Sequence, residues 1–120
     1  MKKENKEIGF YGENLACEFL KKKNHLIITR NFRSKYGEID IISKVDNILI
    51  FTEVKSRYSK NFGLPCQAVT LSKMNTIRRV ASYFLYTKKL QNIYVRFDVI
   101  EITFNYYNNN YHINHLENAF

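Results

Sequence analysis

Over residues 8–23 apolar side chains recur at Ile8, Tyr11, Leu15 and Phe19, the three-to-four spacing of one helical face. Lys21, Lys22 and Lys23 suit the negative end of that helix's dipole. A β-branched run follows over 25–33, then Gly37 opens EIDIIS. ILIFTEVKS over 48–56 is nearly continuous in apolar residues before it ends in charge. Such runs suit strands covered on both faces. Val45, Asp46 and Asn47 supply turn residues between the last two runs and predict a tight hairpin. After a loop containing Phe62, Gly63, Leu64 and Pro65 the period becomes helical again. Leu71, Met74, Ile77, Ala81, Phe84 and Leu85 form the seam of a helix over 71–89, N-capped by Thr70 or Ser72. Residues 94–105 alternate as a strand, NYYNNN over 105–110 reads as a turn, and 111–116 return beside the strand. The order αβββαβ, with an extra C-terminal edge hairpin, predicts an α/β fold: a mixed central sheet flanked by helices.

A length of 120 residues fits a single domain spanning 1–120, and no linker or internal repeat divides it. Hydrophobic residues make up 45% of the chain, too many for a disordered one at a net charge of +8. That charge is uneven: all but one of the 19 basic residues precede residue 90, and the final quarter is net acidic. The basic part points to a polyanionic partner. The N-terminus lacks an apolar signal segment and no apolar run approaches membrane length, so the expectation is a cytoplasmic chain with nucleic acid, not membrane, as its partner. Cys17 and Cys66 lack the spacing of a disulfide framework or a zinc site and read as reduced structural cysteines.

Charged residues near the centre of a small sheet need a reason, because burying an unpaired carboxylate is costly. With Asp46 and Asn47 as the hairpin loop, Val45 faces Ile48, Ile42 faces Phe51, and Asp40 faces Glu53. Lys55 then projects to the same face as Glu53. Two carboxylates so close repel unless a cation or a shared proton intervenes, and hard oxygen ligands suit Mg²⁺ or Mn²⁺. A metal held there would acidify a water and polarise a phosphate, with Lys55 stabilising the developing charge. The same three side chains would equally form an exposed cross-strand ion-pair cluster, and pairing geometry alone leaves both readings open.

Several segments carry a resemblance. GEID at 37–40 followed by EVK at 53–55 is similar to the two-part motif of the PD-(D/E)xK nuclease superfamily, with Ile39 where that name has proline. GENLA at 12–16, RNFRSKYGEIDII at 30–42, FTEVKSR at 51–57, AVTLSK at 68–73, RFDVIEI at 96–102 and NAF at 118–120 resemble, in order, the YraN-like family of small bacterial proteins, itself similar to archaeal Holliday junction resolvases. The resemblance implies a restriction-endonuclease-like core and a metal-dependent endonuclease acting on DNA rather than RNA, with branched DNA as a candidate substrate. A non-catalytic nucleic-acid-binding module on the same fold is the alternative. Implied catalytic residues are Glu13, Asp40, Glu53 and Lys55, and the implied ligands of Mg²⁺ or Mn²⁺ are Asp40, Glu53, the Val54 carbonyl and Glu13. By its own spacing Glu13 suits either a sheet-facing position or a solvated helix margin. Arg30, Arg33, Lys35, Arg57, Lys60, Lys73, Arg78 and Arg79 surround this centre as candidate phosphate contacts, though each alone also reads as an ordinary surface charge. By analogy with resolvases, which cut two strands symmetrically, a homodimer is compatible with this reading. Asp98 reads as a structural partner of Arg96. His112 and His115 have HxxH spacing but would point to opposite faces of a strand.

Overall fold

The computed structural model describes residues 5–59 and 69–120. The expected loop at Phe62–Pro65, together with Lys60 and Cys66, lies outside the described residues. The chain runs α1 (Asn5–Lys22), β1 (Leu26–Ser34), β2 (Gly37–Val45), β3 (Ile48–Ser59), α2 (Leu71–Thr87), β4 (Tyr94–Asn105) and β5 (Tyr111–Leu116). This is the expected α/β order, with element ends within three residues of those read from the pattern. Thr70 is the N-cap of α2, its hydroxyl accepting from the Lys73 N–H at 3.1 Å.

The five strands form one sheet in chain order. Every neighbouring pair is antiparallel except β3 and β4, which run parallel and are joined across α2. One helix covers each face. Ile8, Ala16, Cys17 and Leu20 of α1 pack on Ile41, Ile100, Ile102 and Phe104. Ile77, Val80, Ala81 and Phe84 of α2 pack on Ile39, Ile42, Leu49 and Phe51. The central strands β2 and β3 are thus apolar on both sides, as their near-continuous runs require. Among the described residues, no helix is long and apolar enough to cross a membrane.

The middle of the sheet departs from regular geometry in two ways. The β2–β3 ladder keeps the expected register at Val45↔Ile48 and Ile42↔Phe51 but ends at Ile41↔Thr52. Asp40 and Glu53 are therefore not ladder partners. Beyond that point β2 continues beside β1 and β3 continues beside β4, so a gap opens between the two central strands. Strict alternation also fails at Asp40: Ile39 packs in the α2 cluster and Ile41 in the α1 cluster, although two residues apart on one strand belong on one face. Across the β1–β2 register the residue level with Asp40 is Asn31, in the left-handed region at φ 53°. Both strands change faces there together, and asparagine is one of the few side chains that tolerates the turn.

Candidate functional site

Each strand places one carboxylate at the gap. Asp40 Oδ2 accepts the Val54 N–H at 2.8 Å, so a side chain of β2 takes the hydrogen bond that the broken ladder no longer supplies. In an extended strand the carbonyl of a residue leaves on the same side as its N–H, so the Val54 carbonyl faces the same gap. Glu53, with its side chain 13% exposed, lies 3.9 Å from the Lys73 ammonium on α2. Burial, then the charge of Asp40, pushes the Glu53 carboxyl up to about 7, against the opposing pull of Lys73 and Lys55. Burial also raises Asp40, partly offset by the Val54 N–H. The site is short of positive charge even with two lysines beside it.

Glu13 reaches the same region from α1. The helix approaches β3 closely because residue 12 is glycine: a Cβ there would lie 1.8 Å from Ser56 Oγ and 3.1 Å from its Cβ. The next residue, Glu13, is then close enough to Asp40 that burial followed by the Asp40 charge raises its pKa, while Arg30 lowers it. The sheet-facing alternative for Glu13 is the observed one. Asn31 holds it in place. With its nitrogen turned toward the carboxylates, the Asn31 amide donates to Glu13 Oε1 at 2.7 Å and to Glu38 Oε1 at 3.1 Å.

Asn31 and Glu38 were not among the expected site residues. The usable signal was an asparagine, a poor strand former, inside a β-branched run and level with Asp40.

The basic residues divide. Arg30, whose Nε is buried without a hydrogen-bond partner, sits by Glu13, and Lys73 sits by Glu53. Arg33 pairs with Glu38 at 3.1 Å, and Arg57 with the buried Glu101 at 3.6 Å. Lys35 lies over the Tyr36 ring at 5.3 Å. Arg78 is directed elsewhere, its guanidinium 5.4 Å from the Phe120 ring near the C-terminus.

On the neighbouring strand β4, level with Thr52, Asp98 is fully buried and accepts from Arg96 Nε and Nη2, each at 2.9 Å, and from the Asn118 N–H at 3.0 Å. His115 Nε2 is 2.8 Å from Asp98, while His112 is exposed. Asp98 and His115 thus belong to a structural network with Arg96 and Asn118, and among the described residues none of its hydrogen bonds reaches Asp40 or Glu53.

The donor set at the gap suits a hard divalent cation. Two carboxylates and a backbone carbonyl are oxygen ligands of the kind Mg²⁺ and Mn²⁺ take, and Mg²⁺ characteristically keeps several waters. Among the described residues no three His, Cys, Asp or Glu side chains close into a cage, which limits the direct protein ligands here to fewer than such a cage would give. Glu13, bound to Asn31, stands one step back from the pair.

The model of the family described as "Uncharacterised protein family UPF0102" matches residues 12–102, from the glycine of the α1 approach through the middle of β4. A UPF0102 protein of Clostridium perfringens is 52% identical over 120 residues, covering all of this chain and 98% of that relative. UPF0102 proteins of Clostridium novyi (strain NT) and Clostridium beijerinckii are 51% and 48% identical, covering 97% and 100% of this chain and 97% and 98% of those relatives. Matches of this length and identity agree with the YraN-like resemblance carried by the motifs, and the chain belongs to the UPF0102 family.

Proposed function

We propose that this protein is a Mg²⁺- or Mn²⁺-dependent endonuclease of the PD-(D/E)xK type that hydrolyses phosphodiester bonds in DNA. The observation that carries this reading is the Asp40–Glu53 pair: two half-buried carboxylates held together where the central ladder ends, one with its pKa pushed up to about 7. Structural ion pairs lower carboxylate pKa values, whereas a site built to receive a cation leaves them raised until it binds.

Asp40, Glu53 and the Val54 carbonyl would hold the metal, which would supply an acidified water and a polarised phosphate. Lys55 orients that water or stabilises charge on the phosphorus centre, and Lys73 contacts a phosphate oxygen. Glu13, oriented by Asn31, accepts a hydrogen bond from water in the gap. Arg30, whose charge lies beside Glu13, contacts a phosphate through its guanidinium. DNA is favoured over RNA through the resemblance, which is also compatible with a homodimer.

The test is cleavage of labelled duplex, single-stranded and branched DNA with Mg²⁺ or Mn²⁺. Cutting that disappears in Asp40→Asn supports the reading. A protein that cuts none of these but binds them in a salt-dependent way, unaffected by Asp40→Asn and Glu53→Gln, is instead a non-catalytic binding module.

A further inference from the structure

Beside the gap, the face of α2 next to its buried seam carries Ser72, Asn75, Thr76, Arg79, Tyr83 and Tyr86 at helical spacing. The tip of the β1–β2 hairpin lies against it. Gly37, at φ +145°, makes this possible: a Cβ there would meet Thr76 Cγ2 at 2.7 Å. The contact fixes Tyr36 5.9 Å from the Tyr83 ring, with the Arg79 guanidinium 5.7 Å from the Tyr36 centroid. Two open grooves of about 420 and 570 Å³ meet at Tyr36 and Arg79, one toward Leu71 and the other toward Tyr86.

We propose that this surface is a stacking platform for an unpaired strand of nucleic acid, which narrows the substrate of the proposed enzyme to DNA with a single-stranded segment next to the cut. The proposal rests on the nucleic-acid part of that reading but not on catalysis. Three observations select this occupant. Tyr36, Tyr83 and Tyr86 are exposed aromatics, Tyr86 to 82%, and among the described residues Leu71 is the one exposed aliphatic side chain that lines the two grooves. Among the described residues, Lys35 and Arg79 form no ion pair with a carboxylate and no acidic side chain lines either groove. Ser72, Asn75, Thr76 and Ser82 add neutral hydrogen-bonding groups. Aromatic faces, unneutralised cations and neutral polar groups match bases, phosphates and base edges respectively.

The platform also adjoins the acidic pair. Lys73, 3.9 Å from Glu53, is one residue from Ser72 and less than a turn from Asn75 and Thr76. A strand lying along α2 from Tyr86 to Ser72 therefore arrives at the gap, its polarity set by the chemistry there.

Binding is measured by anisotropy in EDTA with a fluorescein-labelled oligothymidylate of about 12 nucleotides, a length within the site sizes of single-strand binders. A blunt duplex and an abasic oligonucleotide of the same length are measured beside it. The oligothymidylate is expected to bind more tightly than either, and to quench tyrosine emission, which is readable because the chain has no tryptophan. Tyr86→Ala is expected to weaken oligothymidylate binding about fivefold or more, while Tyr86→Phe keeps it within about twofold, the range expected when one stacking ring is lost or kept. At 82% exposure, position 86 tolerates either change without unfolding. Equal affinity for the abasic strand, or no effect of Tyr86→Ala, overturns the platform. So does a Tyr86→Ala effect confined to self-association in sedimentation, which would make a second copy the occupant. Cleavage is scored separately. A protein that binds through Tyr86 but never cuts overturns the nuclease alone, and one that cuts DNA carrying a single-stranded segment equally well with Tyr86→Ala overturns the platform alone.

Discussion

Asp40 takes the Val54 N–H at 2.8 Å at the point where the β2–β3 ladder stops, so one carboxylate both closes a gap in the backbone hydrogen bonding and faces its neighbour Glu53. These two duties separate by substitution. Asp40→Ala removes the acceptor and leaves a part-buried N–H unpaired, at a cost of about 1 to 3 kcal/mol. Asp40→Asn keeps an amide oxygen for Val54 and removes a desolvated charge. Thermal melts in EDTA should therefore show Asp40→Ala several degrees below the wild type and Asp40→Asn level with it or above, while neither cuts DNA. Equal destabilisation by both would mean that the Val54 bond adds nothing.

Glu53 bears the cost of bringing two carboxylates together. With burial and Asp40 against its ionised form, Glu53→Gln should stabilise the metal-free protein by about 2 kcal/mol at mildly alkaline pH, a rise in Tm of several degrees for a chain of this size. Mn²⁺ should raise the Tm of the wild type by mass action and leave Glu53→Gln almost unmoved. A variant less stable than the wild type without metal would show that the Lys73 contact outweighs the repulsion.

Gly12 sets the approach of α1 to the sheet. Gly12→Ala places a methyl against Ser56, and overpacking of this kind costs about 1 to 3 kcal/mol unless the helix lifts. A lifted helix carries Glu13 away from Asp40, so activity should fall further than stability. Ser56→Ala removes the hydroxyl in closest contact, and a double-mutant cycle in urea should show partial rescue of Gly12→Ala. Strictly additive effects would locate the damage elsewhere.

The hairpin register was legible because Asp46 and Asn47 are unambiguous turn residues between apolar runs, and that register brought Asp40 near Glu53 on paper. It did not show that the ladder ends one pair earlier. The end of a ladder depends on the divergence of β2 and β3, and the period-two rule assumes there is none. Asn31 was missed for a related reason: an asparagine in a β-branched run marks an irregular position, but that its left-handed backbone reverses the faces of two strands depends on its place level with Asp40. Arg78 and Arg79 read alike along the chain, yet one residue of helix rotation sends Arg78 to Phe120 and Arg79 to Tyr36. Composition fixes how many cations there are, and only packing decides which face carries them.

The Asp98 network predicts how the fold responds to acid. Burial pushes the Asp98 carboxyl up, but hydrogen bonds from His115, Arg96 and the Asn118 N–H, with the Arg96 charge, outweigh it and hold the value at about 2. His25, whose Nδ1 is 2.9 Å from Ser43 Oγ, is lowered by burial, then by His115 and Arg96. Both folded values lie below the unfolded ones, so both contributions are present at neutral pH and are lost on acidification. His25 acts first, below about pH 6.5, and Asp98 below about pH 4, the Asp98 stage costing on the order of 2 kcal/mol once its carboxyl is protonated. Urea melts at about pH 7, 5 and 3 should show this two-stage fall, with the second stage missing in Asp98→Asn, which starts less stable. An unchanged second stage in that variant would assign it to other carboxylates.

Asn31 combines backbone geometry with chemistry, and two substitutions divide them. Asn31→Gly accepts φ 53° without strain but loses the amide between Glu13 and Glu38. Asn31→Ala loses the amide and also meets the left-handed penalty, so it should be less stable than Asn31→Gly by about 1 kcal/mol. In both, Glu13 and Glu38 face each other without a donor between them, and Glu13 loses its orientation beside Asp40. Cleavage should therefore fall to a similar extent in the two variants while their stabilities differ. Such a split between stability and activity is one that a residue supporting only the fold would not produce. Activity that instead tracks stability, with Asn31→Gly close to the wild type, would reduce Asn31 to a backbone device and leave Glu13 positioned by α1 alone.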